Sequence, residues 1–469
     1  MVPFASTGGL GDVLGSLPAA CNKESGGSVE VRAVIPLYAS VPEDVRSSLT
    51  FIKSITVPLS WRNLYCGIFK YEKDGVVTYF IDNEYYFKRP DMYGNYDDGE
   101  RFAFFASAVL HILPHIDFFP DVLHAHDWQS ALSVVYLKTT FAHNPQYNKI
   151  KAVYTIHNVA YQGKYDKAIL GDVFGLDVRY MSLLENDGCI NLMKGAIALA
   201  DKVTTVSPTY AEELKYPEHS HGMNYILSQN AYKFFGILNG IDYDYYNPKK
   251  DNSIKYNYSA TGFANKVKNK TALQQELGLS VDENAPLIAI ISRLADHKGM
   301  DLVTGIIEDV LNYSDAQFVV LGKGERKYEE FFERLAYNQP LKAKALITYD
   351  KELSKRIYAA SDIFVMPSLS EPCGLSQMIA SRYGSVPVTR ETGGLYDSIK
   401  GYYEKDGVIY GNGFTFANYN QYELKDRIFA ALGLYSDKEK WKKLVEKVMK
   451  TDFSWAVSAK KYIEMYENL

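Results

Sequence analysis

The sequence predicts an α/β fold built twice, as two doubly wound domains. Three observations point to it. Short apolar segments rich in Val, Ile, Thr and Tyr alternate with amphipathic stretches along the chain. Those segments are nearly continuous in apolar character, the pattern of parallel strands covered by helices on both faces. The alternation stops at a polar, Tyr/Asn/Lys-rich stretch, 243–269, and then begins again. With 469 residues, 47% hydrophobic and 23% charged, the chain has enough apolar material for two cores.

In chain order, the first half opens on a glycine-rich turn, Thr7-Gly8-Gly9-Leu10-Gly11-Asp12, before a helical stretch at 13–20. Strands follow at 29–36, 76–82, 121–126, 151–156 and 202–206, with helices at 100–112 and 129–138 among them. The polar stretch reads as a hinge and the entry to the second domain. Beyond it, strands fall at 286–292, 317–321, 344–348, 363–367 and 386–389. Helices at 301–311, 328–336, 352–360 and 376–383 lie between them. In doubly wound domains ligands sit at the carboxyl ends of strands, so the loops just after the strands are the places to search.

Composition narrows the function classes. The net charge is -5 and there is no polybasic run, so nucleic acid is not an expected partner. Cys21, Cys66, Cys189 and Cys373 are far apart, which argues against a disulfide framework or a zinc site and fits a reducing compartment. The first residues are too glycine-rich and uncharged for a signal peptide. No apolar run approaches the roughly 20 residues that span a bilayer. The expectation is a soluble, cytoplasmic protein with no membrane partner. Tyrosine is abundant, at 38 residues. Its flat apolar face and polar tip suit sugar contacts, and equally suit half-buried packing in any fold.

The loops after the strands carry the chemistry. The turn at Gly8 and Gly9 is either a plain turn or a place where backbone amides approach an anion. His124 and His126 share one face of their strand, a spacing a metal pair would use, but no further ligand set accompanies them. Asp127 caps the following helix unless its neighbours give it a larger role. His157, followed by Asn158, is a satisfied half-buried histidine or a hydrogen-bonding group beside a reacting carbon. Arg293 and Lys298 are two solvated charges or a cation pair that neutralises a leaving diphosphate. Glu371 stands at the mouth of a strand, ahead of Pro372, Cys373, Gly374 and Leu375, placed to bond ribose hydroxyls or to stand near a sugar ring. Cys373 packs rather than reacts, since no base adjoins it in sequence. Thr392-Gly393-Gly394-Leu395 echoes the first glycine turn, and two such turns facing across a cleft hold a diphosphate from both sides.

Ten segments stand in one order: VPFASTGGLGDV, NEYYFKRPDMYGNYDDGERFAFF, HAHDWQ, YTIHNVAYQG, TTVSPTYAEE, GILNGID, SRLADHKG, PSLSEPCGLSQM, TRETGGLYDSI and FSWAVSAKKY. Together, over nearly the whole chain, they resemble the bacterial glycogen synthases and plant starch synthases that use ADP-glucose. The resemblance implies a GT-B fold, two Rossmann-like domains facing across a deep cleft. Residues 1–238 would form the acceptor-side domain, joined by a last helix at about 455–469, and 239–454 the nucleotide-sugar domain. It implies glucose transfer from ADP-glucose to the non-reducing end of glycogen or another α-1,4-glucan, with retention of configuration. No cofactor and no metal are implied, because Arg293 and Lys298 act on the diphosphate.

Carried over by motif, Asp12 and Asp127 lie near the sugar and His157 near the reacting centre. Glu371 is the carboxylate near the donor glucose. Asn239 falls on the NGID segment at the domain junction. The backbone amides of Cys373, Gly374, Gly394 and Leu395 hold glucose hydroxyls or phosphate oxygens. Thr7, Gly8, Gly9, Asn158, Leu375, Thr392 and Gly393 complete the substrate-binding set. The stretch 85–98 resembles a loop near the acceptor.

Four features set the sequence apart. Ser6 stands where the family's Lys-Thr-Gly-Gly-Leu loop has lysine, which predicts weaker donor affinity or a substitute cation. The sequence begins at that loop, without the family's first β-strand, which predicts two unpaired sheet edges. Tyr246 replaces a common tryptophan, with a mild effect expected. Ile379 stands eight positions after Glu371, where many related transferases carry a second glutamate; this favours ADP-glucose synthases over UDP-sugar enzymes. A UDP-sugar transferase acting on another glycan and a catalytically weak glucan-binding protein are the alternatives.

Overall fold

The computed structural model describes residues 1–6, 8–262 and 264–469. They form two compact units, Met1–Ile237 with Trp455–Leu469, and Leu238–Ser454.

The first unit contains two four-stranded sheets. One is ordered Ala33–Pro36, Val76–Asp82, Arg62–Lys73, Thr50–Leu59. Only its first pair is parallel; the other two are antiparallel, contrary to the all-parallel expectation. The cause is local. Asp74 and Gly75 both have positive φ, 52° and 74°, the two-residue turn that reverses a strand upon itself. The other sheet is parallel throughout, ordered Phe234–Gly236, Lys202–Thr205, Lys151–Ile156, Val122–His126. Among the described residues, Ala33–Pro36 and Val122–His126 each stand at a sheet edge. The core lies around helices Asp98–His111, Asp127–Lys138 and Leu192–Leu199, whose apolar side chains are almost wholly buried. The last helix, Trp455–Glu467, packs Trp455, Ala459 and Tyr462 with Val13, Leu17 and Cys21 of Gly9–Glu24.

The second unit is built on one six-stranded parallel sheet. Its order is Ala343–Leu346, Gln317–Leu321, Leu287–Ile291, Ile363–Met366, Val386–Arg390, Phe414–Phe416. Numbered along the chain within this sheet, that is 3-2-1-4-5-6, the doubly wound order of dinucleotide-binding domains. The order reverses between Leu287–Ile291 and Ile363–Met366, so the crevice at their carboxyl ends is where a ligand belongs. The helix expected at 301–311 is broken into Met300–Thr304 and Ile307–Asn312. Gly305 lies at the break, where a Cβ would come 2.0 Å from Gln421 Oε1. The polar stretch 243–269 is packed rather than bare: Lys266 is buried and donates to the carbonyls of Tyr358, Ala359 and Tyr383.

Candidate active site

At the switch point of the second unit, two loops lie against each other. Gly299 ends the turn after Leu287–Ile291 with φ 74°, and a Cβ there would come 2.2 Å from the Pro367 carbonyl oxygen. The Leu369 amide donates to the His297 carbonyl at 3.0 Å, fastening the loop after Ile363–Met366 to the first. This close approach brings Lys298 Nζ to 2.6 Å from a Glu371 carboxylate oxygen. Ser368 Oγ donates to that oxygen at 3.0 Å. The pair is largely shielded, with side chains 17% and 9% exposed. Arg293 is exposed, its guanidinium 3.3 Å from His297 Nε2. Burial and the charges of Lys298 and Arg293 hold the His297 imidazole below its usual value.

The two loops bearing the second glycine turn and the Cys373 turn are in contact. A Cβ on Gly394 would come 2.1 Å from the Cys373 carbonyl oxygen, so only glycine fits. The Gly394 amide donates to the Glu371 carbonyl at 3.0 Å, and the Leu395 amide to the Thr392 carbonyl at 3.0 Å. These two amides were expected to face a ligand; both are occupied within the protein. The amides of Cys373, Gly374 and Leu375 have no partner among the described residues. Gly374 has φ 71° and Gly393 φ 43°. The Cys373 thiol is pushed up to about 12 by burial and is hydrogen-bonded by Asn239. Asn239 is 5% exposed, and its Oδ1 has no hydrogen-bond partner.

In the first unit, the strand Val122–His126 runs straight into helix Asp127–Lys138. Asp127 sits at φ 56°, and its side chain does not cap that helix. Its Oδ1 instead accepts from the His157 amide at 2.7 Å and the Asn158 amide at 3.4 Å. The carboxylate therefore clamps the loop after Lys151–Ile156. Burial pushes the Asp127 carboxyl up to about 7 against these two bonds. His157 Nε2 lies 3.0 Å from His126 Nδ1, and His126 stacks on His124 at 4.1 Å. His124 bonds Tyr466 Oη at 2.7 Å and Thr155 Oγ1 at 2.6 Å. The histidines thus bond to each other and to hydroxyls. Among the described residues no group of three or more His, Cys, Asp or Glu is arranged to hold a metal ion. Burial pushes His126 down to about 3 and holds His124 and His157 well below their usual value.

Gly8 and Gly9 are exposed at the start of helix Gly9–Glu24, with Asp12 in its first turn. Thr7 lies outside the described residues. Ser6 Oγ donates to the Gly8 carbonyl at 3.3 Å. The loop 85–98 is held from beneath by residues that motif reading passed over. Fully buried Arg101 bonds Asp98 and, at 2.7 Å, the Tyr86 carbonyl. Asp98 in turn accepts from the Gly94 amide at 2.6 Å. An arginine at the head of the largely apolar run 102–110 was the available signal. Tyr85 and Tyr96 stand exposed on the loop.

Residues 1–229 match the family model of the starch synthase catalytic domain, and 274–448 that of glycosyl transferases group 1. The chain is 48% identical to a glycogen synthase of Clostridium botulinum, covering 100% of this chain and 97% of that one. It is 45% identical to a glycogen synthase of Bacillus cereus, covering 100% and 98%. Among solved structures, the catalytic domain of starch synthase IV from Arabidopsis thaliana, bound to ADP and acarbose, superposes with a TM-score of 0.90. Identity there is 36%, with 100% of this chain and 97% of that one covered. A sucrose-phosphate synthase from Thermosynechococcus elongatus, 15% identical with a TM-score of 0.60 over 98% and 94% of the chains, shares the fold.

Proposed function

The chain belongs to the glycogen synthase and starch synthase family, with a GT-B fold, and from that premise we propose that it extends an α-1,4-glucan with glucose from ADP-glucose. The single observation that carries this reading is the pair Lys298–Glu371, with Arg293, at the switch point of the 3-2-1-4-5-6 sheet. Cations there suit a diphosphate, and the adjoining amides of Cys373, Gly374 and Leu375 offer donors to its oxygens or to glucose hydroxyls. The starch synthase neighbour bound to ADP and acarbose supports ADP as the leaving group and an α-glucan as the acceptor.

In this reading the bond between the anomeric carbon and the diphosphate oxygen lengthens first, and ADP departs with the electron pair. Arg293 and Lys298 hold the negative charge that develops on it. The acceptor's 4-hydroxyl attacks the oxocarbenium-like carbon from the face ADP is leaving, and its proton passes to the departing phosphate. The new bond keeps the configuration of the old one. Glu371 holds Lys298 in place and stands beside the donor glucose. Asp127 fixes the turn that bears His157 and Asn158, which with Asp12, Gly8 and Gly9 are the first unit's sugar-binding groups in this reading; Thr7, assigned to the same role, lies outside the described residues. Asn239, Thr392, Gly393, Gly394 and Leu395 shape the donor side; the last two act through their contacts rather than through free amides. No helix among the described residues is long and apolar enough to cross a membrane; cytoplasmic location is the finer reading we attach to that.

Arg293→Ala and Lys298→Ala test the assignment. Each is expected to lower kcat for glucose transfer by about 10²–10³, the usual loss when one stabiliser of transition-state charge is removed. Near-normal rates in either variant would overturn its role.

A further inference from the structure

Gln377 is the second residue of helix Ser376–Arg382 and is fully buried. Its Nε2 lies within hydrogen-bond distance of three acceptors: the Gly374 carbonyl at 2.8 Å, Ser398 Oγ at 3.0 Å and the Cys373 carbonyl at 3.2 Å. Ser398 passes the connection on, donating to the Gly394 carbonyl at 2.6 Å. One side chain thus ties the turn at Cys373–Leu375 to the helix Gly393–Ser398. The Gln377 Oε1 has no partner and lies against Gly374, where a Cβ would come 2.6 Å from it. An unpaired buried carbonyl is costly, and methionine would fill the same space without it. Simple packing therefore does not account for glutamine here.

Peptide planarity supplies the consequence. In a trans peptide the C=O and the following N–H point in opposite directions. With the Cys373 and Gly374 carbonyls drawn toward Gln377, the amides of Gly374 and Leu375 point away from it, and neither has a partner among the described residues. On the other loop, the Gly394 amide is held by the Glu371 carbonyl and the Gly394 carbonyl by Ser398. We propose that Gln377 is a positioning residue for the donor, fixing the Gly374 and Leu375 amides and the Gly394 loop as one cradle. The inference rests on the donor-binding role given to these loops above.

The test uses the whole protein carrying Gln377→Met, which keeps the volume and removes the donors, with Ser398→Ala as the milder variant should the first fail to fold. Two quantities are read: hydrogen exchange of the Gly394 amide in the ligand-free protein, and ADP affinity by calorimetry. The expected result is Gly394 exchange at least tenfold faster and ADP binding at least tenfold weaker. The KM for glycogen stays within twofold and the melting temperature nearly unchanged. Unchanged exchange, or faster exchange with ADP affinity intact, would overturn the proposal. Should the wild-type protein not bind ADP at all, the donor assignment falls on its own, while faster Gly394 exchange would still support the bracket.

Discussion

Lys298 carries its charge 2.6 Å from Glu371, so under the proposed function an arriving diphosphate would meet a cation already held in position and shared with a carboxylate. That a cation and a carboxylate sit at these strand ends was legible in the sequence; that they bond each other was not, because 73 residues separate them. Asp127 shows the same limit more sharply. Its sequence neighbours suggested a helix cap, yet its carboxylate reaches 30 residues onward to the His157 amide. Ser6 gives a direct prediction at this scale. Ser6→Lys restores a charge-assisted hydrogen bond worth about 1.5–3 kcal/mol, so donor KM in steady-state assays should fall roughly ten- to hundredfold. An unchanged KM would mean that another group already serves. The buried histidines give a pH prediction. His126 titrates near 3 in the folded chain and near 6.5 unfolded, so its contribution is fully present above 6.5 and is lost as pH falls toward 3. Asp127, raised to about 7, acts oppositely, and its contribution is lost as pH climbs toward 7. Urea unfolding of His126→Gln and wild type should therefore diverge below pH 6.5. The wild type loses about 1.4 kcal/mol more per pH unit; parallel curves would show that the imidazole keeps its charge when buried.

Among the elements, the buried parallel strands were the legible part, because a strand covered on both faces is apolar throughout. Val76–Asp82, Lys151–Ile156 and Gln317–Leu321 have the limits expected from sequence. The antiparallel ribbon Thr50–Leu59 and Arg62–Lys73 escaped, since its half-exposed faces dilute the apolar signal. Its neighbour's turn was nonetheless written as Asp74-Gly75, and the same dipeptide turns two further hairpins at Asp187-Gly188 and Asp406-Gly407. The glycine turns were found, but which amides remain free was not, because that depends on how two loops pack. Gly394→Ala probes that packing. Its Cβ would come 2.1 Å from the Cys373 carbonyl oxygen. We expect destabilisation of about 1–3 kcal/mol by denaturant unfolding, as for other overpacked sites, together with at least a tenfold loss of ADP affinity. Normal stability and affinity would mean that the two loops part easily.

For the whole molecule, the chain passes between its two units twice, after Ile237 and after Ser454. The return was legible only through the resemblance of FSWAVSAKKY to a last helix, since nothing in its periodicity says which unit it joins. Trp455, 6% exposed, packs among Val13, Leu17 and Tyr462 of the first unit. Trp455→Ala should cost that unit about 3–5 kcal/mol in denaturant unfolding, as for other large-to-small core changes. A loss below 1 kcal/mol would contradict the helix's place in the core. The strand order 3-2-1-4-5-6 could not be read from the sequence, because order is settled by which strands pair, yet it is what turns scattered charges into one site. What that site transfers is open to direct measurement. The most direct measurement is glucose incorporation into glycogen by this chain, with ADP-glucose and UDP-glucose supplied in parallel. Glucose is expected to enter glycogen from the supplied donor, with a clearly higher kcat/KM for ADP-glucose. No incorporation from ADP-glucose, or a preference for UDP-glucose, would contradict the proposed function.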